Sequence, residues 1–77
     1  MATFYKNKNF TGVASSFNSR INNLGSNDNQ FSSIKLTTLQ YIVVYDGLNL
    51  TGNSMIIYED INDLALYGFD KKIKSMI

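Results

Sequence analysis

The chain repeats itself at an offset of forty residues. Tyr5 aligns with Tyr45, Asn9 with Asn49, Thr11 with Thr51 and Gly12 with Gly52. Phe10 falls on Leu50 and Phe17 on Ile57. Beyond two inserted residues, Asp28, Phe31 and Ser33 align with Asp70, Ile73 and Ser75. In such a repeat each copy is one supersecondary unit that cannot bury its apolar face alone. The halves, about residues 1–38 and 40–77, are therefore expected to fold as one domain.

The pattern inside the copies says what the unit is. Residues 2–6, 13–17, 32–37, 41–46, 54–58 and 72–77 are short and alternating or β-branched, so they read as strands. Residues 18–27 are rich in Asn, Ser and Gly and read as an irregular crossing pinned by Ile21 and Leu24. Asp46-Gly47 is a turn signal. Residues 59–64 resemble the first turn of a short helix, with Asp60 as its cap and Gly68 as its end. Two four-strand units, each with one long connection, imply an all-β double Greek-key sandwich of two four-stranded sheets.

Composition narrows the chemistry. There are no cysteines and no histidines, which excludes disulfides, ordinary zinc sites and the usual nucleophile–base pairs. No enzyme and no small-molecule substrate are expected. Seven basic against six acidic residues give a net charge of +1, with no footprint for nucleic acid and no polybasic membrane patch. The apolar runs are too short to span a bilayer, and no signal-like segment opens the chain. A cytoplasmic setting is expected, with secretion after removal of a signal segment as the alternative. A core this small leaves little net stability, so a metal ion or a homo-oligomer interface is worth seeking.

The oxygen-rich stretch Asp28-Asn29-Gln30-Phe31-Ser32-Ser33 is where a hard cation would go, since carboxylates, amides, hydroxyls and carbonyls suit calcium. Taken alone, the six residues also read as a polar turn making local backbone bonds before a strand. The second copy, Asp70-Lys71-Lys72-Ile73-Lys74-Ser75, reads as a solvated strand start. Glu59, Asp60 and Asp63 lack the spacing of a calcium loop and fit a helix start. The Asn9 and Asn49 sequons sit inside the hairpins and read as coincidence.

Tyr5-Lys6-Asn7-Lys8-Asn9-Phe10-Thr11-Gly12 carries an aromatic, four residues, an aromatic, one residue and a glycine. This resembles the Greek-key signature of the βγ-crystallin family, in which the glycine permits a tightly folded hairpin. Residues 45–52 depart only in carrying Leu50 for the second aromatic. The family also bears a stretch of two Asn/Asp, two variable residues, Ser/Thr and Ser before the fourth strand of each key. Residues 28–33 fit it at every specified position. The chain is similar throughout to a single microbial-type domain of that family.

The resemblance implies a structural module with calcium shared between the keys. One site would take the carbonyls of Lys6 and Gln30, the hydroxyl of Ser32 and a side chain from the position of Lys71. The other would take the carbonyls of Asp46 and Lys72, the position of Lys74 and the side chain of Asn29. Asp28 and Asp70 open the two stretches. Lys71 and Lys74 stand where oxygen ligands belong, and an ammonium about 4 Å from a cation opposes binding by several kcal/mol. The first site is the better calcium candidate and the second reads as degraded. An adhesion, lectin-like or toxin-like module on the same scaffold is the alternative.

Overall fold

In a computed structural model, residues 2–17, 20–25, 30–36 and 41–77 are described. Strand β1, Ala2–Asn7, buries Ala2 and Phe4 and leaves Thr3 and Tyr5 half-buried, the alternation of a one-sided strand. It pairs antiparallel with β2, Thr11–Phe17, and with β3, Ser33–Leu36. The second half repeats this arrangement. Strand β4, Ile42–Tyr45, lies between β5, Ser54–Ile57, and β6, Ser75–Met76. The result is the expected all-β sandwich of two antiparallel sheets.

The expected four-stranded sheets are corrected to three strands each, ordered β2-β1-β3 and β5-β4-β6 among the described residues. The fourth position in each sheet is a single bridging residue, and it comes from the other half. Ile61 pairs with Ile34 of the first sheet, and Ile21 pairs with Met76 of the second. The reason lies in composition. Residues 20–25 and 59–64 surround one β-branched apolar residue, Ile21 or Ile61, with mostly polar neighbours, and among the described residues it is this one that bridges to a sheet.

Two further expectations shift. The helical piece is a 3-10 turn, Leu64–Tyr67, capped by Asp63 rather than Asp60. Ile61 must remain extended to exchange hydrogen bonds with Ile34, so helical geometry starts only beyond it. The Asp60 carboxylate instead accepts the Leu36 amide at 2.8 Å. Gly68 ends the turn as expected, with φ 77°. The closing strand shrinks from residues 72–77 to Ser75–Met76, because Lys71 takes φ 55° and the Lys72 amide turns back to the Phe69 carbonyl.

The core lies between the sheets and draws on both halves. Phe4 packs edge-on against Phe17, with ring centroids 5.5 Å apart, and tilts against Phe31 at 5.0 Å. Val44, Ile57, Leu64, Ile73 and Met76 complete it from the second half. Leu24 is buried and Ile21 packs against the core, so the first crossing is pinned where the sequence indicated.

Candidate metal centre

Each key closes at a folded hairpin that requires unusual backbone. Asn9 and Phe10 take φ 58° and 59°, and Asn49 and Leu50 take 57° and 59°. A bulky residue at positive φ is strained and persists only when its surroundings hold it. Here a serine holds it. The Phe10 amide donates to Ser33 Oγ at 3.0 Å, and that hydroxyl donates to the Asn7 carbonyl at 2.6 Å. In the second key Leu50 donates to Ser75 Oγ at 3.0 Å, and Ser75 donates to the Gly47 carbonyl at 2.6 Å. Gly12 and Gly52 follow at φ 84° and 83°. Ser33 and Ser75 are fully buried, so the last serine of each stretch is a hairpin anchor. Sequence reasoning missed that role, although its sign was present: both copies keep this serine while only the first keeps the serine before it.

The first candidate site forms where β1 loses register. The pairing of β1 with β2 slips between Tyr5 and Asn7, which leaves Lys6 outside the regular ladder. Ser32 is brought opposite by its amide, which donates to the Tyr5 carbonyl at 2.9 Å. The turn at Lys71 is brought over from the second key, its amide donating to the Phe31 carbonyl at 2.7 Å. Lys6, Ser32 and Lys71 are thus brought near one another, and half-buried Gln30 lies two residues before Ser32. Asp28 and Asn29 lie outside the described residues.

What the convergence produces is a hydrogen bond from an ammonium. Lys71 Nζ donates to the Lys6 carbonyl at 3.0 Å. Calcium needs six to eight oxygens, and an ammonium has only donors. The carbonyl that would ligate calcium is already engaged, and a positive charge stands at the position of the missing ligand. The residues present do not fit calcium in this arrangement.

The residues expected at the second site lie around the end of β4. The Lys74 amide donates to the Tyr45 carbonyl at 2.9 Å, which places Lys74 beside the end of β4. Asp46 and Lys72 line one cleft of about 390 Å³, together with Asn53 and Tyr67. The Asp46 carboxylate is occupied by Asn53, whose amide and side chain reach it at 2.8 and 3.0 Å. One oxygen of Asp70, Oδ1, is buried with no hydrogen-bond partner. Among the described residues, no three acidic side chains gather as a metal site.

No protein-family model matches the sequence, and no curated protein matches it. Solved structures do. A domain from work on the evolution of the eye-lens βγ-crystallin fold superposes with a TM-score of 0.92 at 22% identity, covering 99% of this chain and 81% of that one. The chain has the βγ-crystallin fold. A βγ-crystallin domain from Flavobacterium johnsoniae superposes at 0.86 with 25% identity, covering 97% of this chain and 89% of its own. A βγ-crystallin from Ciona intestinalis gives 0.86 at 16% identity, covering 97% and 94%. The βγ-crystallin scaffold is thus kept here, with lysine at positions 71 and 74 of the second key.

Proposed function

We propose that this domain is a non-enzymatic structural module derived from a calcium-clamped scaffold, with its two keys held together without need of a divalent ion. The supporting observation is the set of backbone bonds between the keys. Ile34 and Ile61 exchange two at 2.9 Å, and Ile21 and Met76 exchange two more at 2.9 Å. Asn9 donates to Asn62, Asn49 to Asn22, Leu24 to Lys74 and Leu64 to Ser32, each between 2.8 and 3.0 Å. Neither key satisfies these groups by itself, so docking and folding are one event.

Thermal unfolding tests the reading. A ligand that binds only the folded state raises the melting temperature as its concentration exceeds its dissociation constant. The expected melt is the same with excess calcium and with chelator. A calcium-dependent rise would restore calcium as the clamp and overturn this function.

A second reading, a partner-binding module, is favoured by one observation. The outward face of the second sheet is apolar: Ile56 pairs with Val43, which exchanges backbone bonds with Ile77. Tyr41 and Tyr58 flank that row and are 67% and 74% exposed. Binding to an immobilised partner panel, unchanged by chelator and lost on Tyr58→Ser, would select it.

A further inference from the structure

We propose that the Lys71 ammonium is a tethered cation that takes over the position calcium would occupy at the first site and pins the two keys there. This rests on the structural-module reading above and assigns its clamp to one side chain. Three observations carry it. The register slip takes Lys6 out of the regular β1–β2 ladder, which leaves its carbonyl open to a donor from elsewhere in the fold. Lys71, sixty-five residues away, supplies that donor across the key boundary at 3.0 Å. Lys71 also holds φ 55°, a left-handed conformation that Asn and Asp adopt far more readily than lysine does. The backbone at 71 thus keeps a shape suited to a short oxygen-bearing side chain, while the side chain now present reverses the chemistry from acceptor to donor.

The consequence is a clamp with no exchangeable part. An ion bound from solution stabilises only as its concentration exceeds its dissociation constant, whereas a tethered ammonium acts at any calcium level. The neighbouring Lys6 ammonium is solvent-exposed and free to point away, so its charge adds little cost.

The test compares the wild-type chain with Lys71→Met and Lys71→Asp by thermal unfolding and by calcium titration calorimetry. Lys71→Met keeps the apolar stem and removes the ammonium. It is expected to melt lower by about 2–5 °C, with no calcium response. Lys71→Asp puts an anionic oxygen on the left-handed backbone. It is expected to melt about 5 °C higher in ~10 mM calcium than in chelator and to give a saturable binding heat that the wild type lacks. If Lys71→Met melts with the wild type, the ammonium pins nothing and the inference fails. If Lys71→Asp gains no calcium response, the ammonium does not occupy a calcium position and the inference fails again. In both cases a wild-type melt indifferent to calcium leaves the structural-module reading standing, whereas a calcium-responsive wild type removes that reading first.

Discussion

The hydroxyl of Ser33 receives the amide of Phe10 at 3.0 Å across twenty-three residues, and it holds a bulky side chain at φ 59°. Ser75 repeats the relationship with Leu50. Each serine accepts one bond and donates another from a fully buried position, so removing it leaves an amide and a carbonyl unsatisfied at the most strained point of the key. Ser33→Ala and Ser75→Ala are each expected to cost about 1–3 kcal/mol, read by urea unfolding. Because the two hairpins are separate, the double variant should lose close to the sum of the single losses. Loss of less than about 0.5 kcal/mol from either would show that the hairpin holds its own conformation.

The Asp63 carboxylate has two neighbours of unequal value. One oxygen accepts the Ala65 amide at 3.0 Å as the cap of the 3-10 turn, and the other lies 3.7 Å from Lys8 Nζ. The lysine side chain is 61% exposed, so solvent screens the ion pair. Asp63→Ala is expected to destabilise by about 1 kcal/mol through loss of the cap. Lys8→Ala is expected to cost no more than about 0.5 kcal/mol. Equal losses in the two variants would assign the stability to the ion pair instead.

The fold was legible because the repeat and the aromatic–glycine hairpins are local patterns written twice, and strand alternation placed β1, β3 and β4 within a residue or two. The exchange of Ile21 and Ile61 between sheets was hidden, since nothing near either residue marks which sheet it joins. The helix cap moved from Asp60 to Asp63 for a tertiary reason, the hold of Ile34 on Ile61. At the site, position 71 was recognised as altered, but a long flexible side chain has no direction in a sequence. Its bond to Lys6 depends on a slip in the β1–β2 register and a left-handed turn that only the folded backbone defines.

Asp70 carries an unsatisfied oxygen in the second copy. Its Oδ1 is buried without a partner, and such an oxygen costs its desolvation. Asp70→Asn keeps the shape, removes the charge and can turn its NH2 group to the other side. It is expected to stabilise by about 1 kcal/mol, or a melting rise of several degrees. A lower melting temperature would mean that the carboxylate is stabilised by a cation, and it would reopen the second site as a binding position.

The two outer faces have diverged although the strands beneath them match. On the first sheet the row across β2, β1 and β3 is Ser16, Thr3 and Lys35, with the two hydroxyls 3.0 Å apart. On the second sheet the same row is Ile56, Val43 and Ile77, and it ends on the edge strand β5. An apolar row beside a strand that is an edge among the described residues favours association, because both the side chains and the edge backbone groups gain from a neighbour. Copying the polar face by Ile56→Ser, with Tyr58→Ser beside it, removes side chains that are 57% and 74% exposed. The core beneath them is untouched, so the unfolding free energy is expected to change by no more than about 1 kcal/mol. Self-association at high protein concentration, followed by sedimentation velocity, is expected to fall. If the variant associates as strongly as the wild type, the apolar row is a neutral substitution of one face and the edge strand alone drives contact.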